Sequence, residues 1–486
     1  MPTLAEILQQ SWQVHQSGNV DAAMQMYRGV LRQVPESADA WVYLGIAQFD
    51  KRDFAGAVDS YQRAIGLRSH FPIAWNNLGN AFRMLGDVDQ AEHCFDQALQ
   101  QQPGYLSAIK NRGTLWIWNG EIERGLKWYE EGLAIEPQNA ELHRNLGVIS
   151  LLLGDYERGW NEYRWRWRMP GVGRPEIASH LQSAGGHVPV WSGQPLNGKT
   201  VLIYPEQGLG DAIHFLRVAR ALSKEADRVM VVCPPKLIPL FSSAVGSDGL
   251  GIERLIPDVD AHSAAMSLPA GVPVDYQGSF LEVLDGLYQR DGELYDGAEL
   301  FRWTESKSHA GYLSVPESTR HYWQNSLSPL RQPAKKLIGL NWQGNPEHHA
   351  DVYRSVPLEA FRSVVESESL TCVSLQFGHG TEQLDQSDLG QRIHRLPPGM
   401  DQSSGQFVDT AAVLYNLDAL VTTDTAIAHL AGSLGVRTIL LLGKVPDWRW
   451  LRSGESTRWY PSVEIVRQPE LGSWEPCIDA VLTKLA

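Results

Sequence analysis

AWVYLGIAQFDKRDFAGAVDSYQRAIGLRSHFPIAWNNLGNAF, residues Ala40–Phe82, holds one pattern twice: Trp41-Val-Tyr-Leu-Gly45 returns as Trp75-Asn-Asn-Leu-Gly79, 34 residues later. The interval extends in both directions. Gly45, Gly79, Gly113 and Gly147 form one column, and Tyr27, Tyr61, Phe95, Tyr129 and Tyr163 form an aromatic one. Ala23, Ala57, Ala91, Gly125 and Gly159 form a third column of small residues, while Pro103 and Pro137 keep the interval and Pro35 precedes Pro103 by two of them. A fixed period of this kind marks stacked helical pairs. A small residue on each of two helices lets their backbones approach, the aromatic fills the groove beside it, and proline stops the second helix. Each unit then buries its neighbour and leaves a concave groove.

These columns resemble the tetratricopeptide repeat over roughly residues 4–168, as about five units. Arg52 stands where later units have Gly86, Gly120 and Gly154, which leaves that turn's shape open. Such an array implies a docking surface for a protein or peptide, with a structural or dimerisation platform as the alternative. Asn76, Asn77, Asn80 and Asn111 suit contacts to a peptide backbone and suit solvation equally. Glu162–Arg168 (EYRWRWR) predicts a junction helix packing its tryptophans on the next domain, and residues 169–196 read as a linker.

From Lys199 the period changes. Thr200–Tyr204 (TVLIY), Arg228–Cys233 (RVMVVC) and Ile252–Ile256 are short apolar runs, with an amphipathic helix expected from Asp211 to about Lys224. The pattern restarts with Leu337–Trp342, Thr371–Leu375, Arg392–Leu396, Ala419–Thr423 and Thr438–Leu442, spaced by helices at Pro357–Ser367, Asp409–Asn416 and Thr425–Leu434. Buried strands alternating with helices predict parallel sheets. The fold class expected is therefore an α superhelix followed by α/β, with two Rossmann-like domains, 197–320 and 321–486, facing each other in a GT-B arrangement.

Composition narrows the functions. A formal net charge of −14 argues against broad binding to nucleic acid or an anionic membrane. No apolar run approaches the roughly 18 residues of a membrane span, and MPTLAEILQQSW lacks the basic start and apolar core of a secretory signal, so a cytoplasmic location is expected. Cys94, Cys233, Cys372 and Cys477 show no metal-ligand spacing and predict buried free thiols. No metal site is expected.

Three loops at strand ends carry chemistry. In Glu206-Gln-Gly208-Leu-Gly210-Asp211, two glycines permit close backbone approach at a helix N-terminus, and Asp211 reads equally as a structural N-cap. Trp342-Gln-Gly344-Asn345-Pro346 leads through His348, His349 and Asp351 to Arg354-Ser355, a loop able to hold a phosphate, although loop histidines are more often surface groups. Asp424-Thr425-Ala426-Ile-Ala-His429 opens a helix with Thr425 and His429 one turn apart, suited to a pyrophosphate oxygen. Lys444 reads as a surface lysine, and no GxxxxGK[ST] occurs.

DTAIAHLAG at 424–432, followed by Gly435-Val436, resembles the donor-site motif of heptosyltransferase-like glycosyltransferases, and GLGDAIHFLR at Gly208–Arg217 is similar to their N-terminal loop. With NWQGNPEHH…RS, Ser374–Gln376, Asp409–Ala412 and Pro446–Trp450 in order, almost the whole chain resembles bacterial tetratricopeptide-repeat glycosyltransferases, distantly reminiscent of protein O-GlcNAc transferase in architecture. The resemblance implies Asp211 as general base and a donor set of Gly208, Gly210, Asn345, Arg354, Asp424, Thr425, Ala426 and His429. Within that set Arg354 would contact phosphate, Thr425, Ala426 and His429 the diphosphate, and Asp424 the sugar side. It further implies an inverting, metal-independent transfer from a nucleotide-sugar, as substrate rather than cofactor, to a protein or glycan acceptor docked through the repeats. An acceptor pocket is expected within Gln277–Gly311. A non-catalytic repeat scaffold and a nucleotide-sugar epimerase remain alternatives, and homo-oligomerisation stays open.

Overall fold

A computed structural model describes residues 3–174, 177, 188–268, 273–295, 311–348 and 350–486. The chain divides into two compact units, Met1–Ser150 with Asn161–Arg166, and Leu151–Trp160 with Trp167–Ala486.

The first unit is a run of antiparallel helical pairs: α1 (Leu4–Gln16), α2 (Val20–Gln33), α3 (Ala38–Asp50), α4 (Phe54–Leu67), α5 (Pro72–Met84), α6 (Val88–Gln101), α7 (Leu106–Trp118), α8 (Ile122–Ile135) and most of α9 (Ala140–Leu152). The sequence columns are its packing. A Cβ placed on Gly45 would stand 2.6 Å from the Tyr61 ring, one on Gly79 2.7 Å from Phe95, and one on Gly113 2.8 Å from Tyr129. Only a helix without a side chain at that point accepts the aromatic of its partner. The turn inside each pair places one residue in the left-handed region: Gly18 (φ 87°), Arg52 (62°), Gly86 (81°), Gly120 (91°) and Gly154 (81°). Arg52 thus adopts the turn its neighbours make with glycine, and that turn keeps its shape. Asn19, Asp53 and Asp87 each accept a backbone N–H at the next helix start, the capping that such side chains supply.

The 164–168 segment departs from expectation. It is a short 3-10 turn rather than a helix, and Trp165 stacks on His143 of α9 with ring centroids 3.9 Å apart. Glu162 holds that imidazole through Nδ1. Among the groove candidates, Asn111 donates to Asn76 Oδ1 at 2.9 Å and Asn76 donates to Asn77 Oδ1 at 3.2 Å, so these amides engage one another.

The second unit contains two parallel sheets. The first has the order β3-β2-β1-β4, with β1 Thr200–Tyr204, β2 Arg228–Cys233, β3 Arg254–Pro257 and β4 Tyr276–Ser279. The second runs β10-β9-β8-β5-β6-β7, with β5 Lys336–Asn341, β6 Leu370–Ser374, β7 Ile393–Arg395, β8 Ala419–Thr423, β9 Thr438–Leu442 and β10 Val463–Arg467. That order reverses direction between β5 and β8, the doubly wound arrangement of a Rossmann-like domain, and the crevice at such a reversal is where ligands sit. β1, β6, β8 and β9 are buried at every residue because helices cover both faces.

The expected helix from Asp211 to Lys224 is two: α10 (Leu209–Phe215) and α11 (Val218–Leu222). Its apolar stripe is nevertheless inward, with Ile213, Leu216, Ala219 and Leu222 all buried. Residues 311–314 bond both lobes: Tyr312 and Leu313 donate their N–H groups to Ser433 O at 2.8 and 3.0 Å, while Tyr312 Oη donates to Ile213 O and Ser314 N to Ser243 Oγ. The helix α12 (Glu317–Leu327) packs on the second lobe, its Trp323 Nε1 donating to Asp409 at 2.8 Å. All four cysteines are free and buried.

Candidate functional site

Each lobe contributes one helix N-terminus to the site. In the first lobe the loop after β1 enters α10 with Gly208 as N-cap in extended conformation and with no side-chain cap. Asp211 is the third residue of that helix, so its carboxylate is not the cap. It turns instead to Arg449, whose Nη2 lies 2.6 Å from Asp211 Oδ1. In the second lobe β8 leads into α13 (Ala426–Leu434), with Thr425 as N-cap. The two helices meet at Gly210, where an added Cβ would stand 3.2 Å from both Ala426 Cα and His429 Cδ2. Gly208 has nothing within 4 Å of the same construction and faces open space. A glycine at 210 therefore sets how closely Asp211 is carried to the amides that open α13.

The loop after β5 closes the third side. Arg354 Nη1 donates to the Asp424 carbonyl at 2.9 Å, and its Nε lies 3.3 Å from the Asp351 carboxylate. Gly344 makes room for the guanidinium, since a Cβ there would stand 2.6 Å from Arg354 Nη2. A buried amide organises the floor: Gln376 Oε1 accepts from Asn341 Nδ2 (2.9 Å), Trp342 N (3.0 Å) and Gln343 N (3.0 Å), while its Nε2 donates to Gln343 O and His379 O. Asn341 Oδ1 in turn accepts from Thr425 Oγ1 at 2.8 Å and Thr422 Oγ1 at 3.0 Å. One polar network thereby ties β5, β6 and β8 together below the loop.

The expected residues divide accordingly. Asp211, Gly210, Arg354, Asp424, Thr425, Ala426 and His429 converge. Gly208 stands at the open mouth. Asn345 is exposed, and its Oδ1 accepts the N–H of Glu347 in its own turn. The Thr425 hydroxyl is engaged by Asn341 rather than turned outward. His429 is buried, its Nδ1 3.1 Å from Tyr460 Oη, its ring stacked on Trp450 at 5.3 Å and its Nε2 3.9 Å from Asp424 Oδ1. His349, and residues 296–310 of the expected acceptor pocket, lie outside the described residues.

Electrostatically the site is a set of carboxylates around two guanidiniums. Burial pushes Asp211 up from the ordinary carboxylate range; Arg449 and Arg354 oppose this, while Asp447 and Glu206 add to it. Asp424 is raised to about 6, by burial first and by the Asp447 charge second, against Arg354 and Arg449. His429 and His214 are both held well below the usual imidazole value by burial and by nearby arginines, so each is neutral at pH 7. Among the described residues no three of His, Cys, Asp and Glu group as a metal site.

Sequence reasoning missed three residues here. Arg449 and Trp450 stood in a quoted motif without a role, and Tyr460 was not singled out. A charged residue between two tryptophans (Trp448-Arg449-Trp450) was the available signal. Two spaces adjoin the site. A crevice of about 10 Å³ beside Asp211, lined by Glu206, Gln207, Phe280 and Leu281, has room for one water or hydroxyl. A cavity of about 330 Å³ opens at the C-terminal ends of β6 and β7, lined by Ser374, Gln376, Leu396, Pro398 and Met400.

Profiles of the tetratricopeptide repeat match residues 16–72 and 72–105, so the helical unit carries such repeats. A curated relative, Protein FlbA of Caulobacter vibrioides, is 26% identical over 478 residues, covering 95% of this chain and 69% of its own. Among solved structures, a thermophilic tetratricopeptide-repeat protein of Thermus thermophilus is 19% identical, covering 34% of this chain and 90% of its own with a TM-score of 0.31. Pseudomonas aeruginosa pilF is also 19% identical, covering 36% and 78% with a TM-score of 0.32.

Proposed function

We propose that this chain is a glycosyltransferase. It moves a sugar from a nucleotide-sugar donor to a hydroxyl of a protein or glycan acceptor, with inversion and without a divalent ion, and its repeats dock the acceptor or a partner. The observation that carries the reading is the meeting at Gly210, which brings a carboxylate from one α/β lobe to the amide end of a helix in the other.

In this reading Asp211 takes the acceptor's proton as its oxygen attacks the anomeric carbon, and the bond from that carbon to the diphosphate breaks. Negative charge then develops on the leaving diphosphate. The α13 N-terminus, whose first N–H groups have no intrahelical acceptor, and the Arg354 guanidinium offset it. The cavity at the ends of β6 and β7 would receive the nucleoside, since ligands of parallel α/β sheets lie outside the carboxyl ends of the strands. Asp424, raised to about 6, is poised to hydrogen-bond a sugar hydroxyl in either protonation state.

The test has two stages. A thermal-shift screen of UDP, GDP, ADP and CMP sugars on the whole chain should find a donor; one present at 100 times its Kd adds about 2.7 kcal/mol. Asp211→Asn should then reduce turnover by about 100-fold or more while donor affinity stays nearly intact. No response to any sugar nucleotide, or full turnover in the variant, refutes the assignment.

A further inference from the structure

The guanidinium of Arg449 is held at both of its Nη atoms. Its backbone N–H donates to Asp447 Oδ1 at 3.0 Å, and its carbonyl accepts Trp459 Nε1 at 2.6 Å. Nη1 donates to Asp447 Oδ1 at 2.7 Å, and Nη2 reaches Gln207 Oε1 at 3.1 Å and Asp211 Oδ1 at 2.6 Å. The fork lies over Phe215 at 4.8 Å and Trp448 at 5.0 Å, and the side chain is only 6% exposed. A planar, always charged fork fixed by two rings and by its own backbone has little freedom, so whatever it binds is oriented with it.

We propose that Arg449 is the positioning residue of the general base: it fixes the orientation of the Asp211 carboxylate and keeps that group ionised at neutral pH. The proposal rests on the glycosyltransferase reading. The charged and titratable groups near Asp211 come from several elements. Glu206 lies on its own loop, His214 on its own helix, Asp447 and Arg449 after β9, Arg354 after β5, and Asp424 and His429 around the start of α13. Both histidines are neutral, so burial first, with the Asp447 and Glu206 carboxylates, raises the Asp211 pKa, and the Arg449 and Arg354 guanidiniums lower it. Arg449 is in direct contact, and an opposite charge that close lowers a carboxyl by about one to three pH units.

The experiment measures kcat and donor KM between about pH 5 and 9 for the full chain, where an acid limb reports the base. In Arg449→Gln the acid limb should rise by about one to three pH units with donor KM little changed, and Arg449→Lys should recover part of the displacement. Asp447→Asn should move the limb the opposite way, because it removes a charge that raises Asp211. A purely structural role would lower kcat at every pH and leave the limb in place, and that result overturns the proposal. If Arg449→Gln does not fold, Asp447→Asn decides alone, and an unmoved or raised limb overturns it. Wild-type protein that turns over no donor overturns the glycosyltransferase reading and this inference together. A wild-type limb lost in Asp211→Asn but unmoved in Arg449→Gln overturns this inference only.

Discussion

Asp424→Asn should stabilise the protein while impairing the site, with a pH dependence that identifies the cause. The Asp424 side chain is 14% exposed, and burial together with Asp447 raises it from 3.8 to about 6. The folded chain therefore holds that proton more tightly than the unfolded chain does. The group carries no penalty below about pH 4, where both states are protonated. Stability then falls as pH rises from about 4 to 6 and is level above that. The gap between 3.8 and about 6 corresponds to about 3 kcal/mol at full ionisation, and to roughly half of that at pH 5. Asparagine keeps the shape and never ionises. Its gain should be about 1–3 kcal/mol at pH 8, or very roughly 2–8 °C in Tm, and should shrink towards zero near pH 4. Scanning calorimetry at several pH values, following the transition of the α/β unit, measures this. A loss of Tm at pH 8, or a gain equal at pH 4 and pH 8, refutes the claim that a buried charge at 424 is what the fold tolerates for the sake of the site.

Other substitutions probe the packing. Gly79→Ala places a methyl 2.7 Å from the fully buried Phe95 ring and should cost about 1–3 kcal/mol. Gly66→Ala at an exposed position of α4, with nothing within 4 Å, should stabilise by up to about 1 kcal/mol; urea denaturation giving both the same sign would contradict the packing argument. Gln376→Leu orphans the three N–H groups that share its Oε1 and should destabilise by about 3 kcal/mol or more, read as loss of the α/β transition midpoint. Arg52→Gly relieves a left-handed non-glycine residue and should stabilise the repeats by about 0.5–1 kcal/mol, and a lower midpoint would count against it.

The repeats were readable because their packing is periodic. Gly45 against Tyr61 and Gly79 against Phe95 are the same contact 34 residues apart. Strands such as Thr200–Tyr204 and Ala419–Thr423 were equally plain, since burial on both faces leaves a continuous apolar run. β4 was not, because Tyr-Gln-Gly-Ser has no apolar run: its buried Gln277 is satisfied by Val188 O and Tyr204, contacts from distant parts of the chain. The break at Leu216-Arg217 escaped notice for a similar reason. Arg217 is fully buried in a helical pattern and bonds His214 O and Trp459 O, the latter 242 residues away. For Asp211 the residues alone left cap and site even, and only the backbone, which makes Gly208 the cap, separates them.

The two buried imidazoles constrain what the site can offer a diphosphate. Tyr460 Oη lies 2.6 Å from His214 Nδ1 and 3.1 Å from His429 Nδ1. A hydroxyl has one proton, so it donates to one of the two rings at most, and Tyr312 and Arg217 also bond this oxygen. His214 Nε2 is buried with no partner. A buried orphan lone pair is better tolerated than a buried orphan N–H, which places the His214 proton on Nδ1, donating to Tyr460. Tyr460 then donates to His429 Nδ1, and His429, neutral, keeps its proton on Nε2, directed towards Asp424 at 3.9 Å. His214 and Tyr460 thus form a line of donors that ends at His429, whose Nε2 stands 3.9 Å from the Asp424 carboxyl, beyond hydrogen-bond reach. Both imidazoles are neutral, so they bring no charge to the site. In the proposed reaction, positive potential for the leaving diphosphate comes from Arg354 and from the amides that open α13, and the packing of Gly210 on Ala426 keeps the proposed base in reach of both.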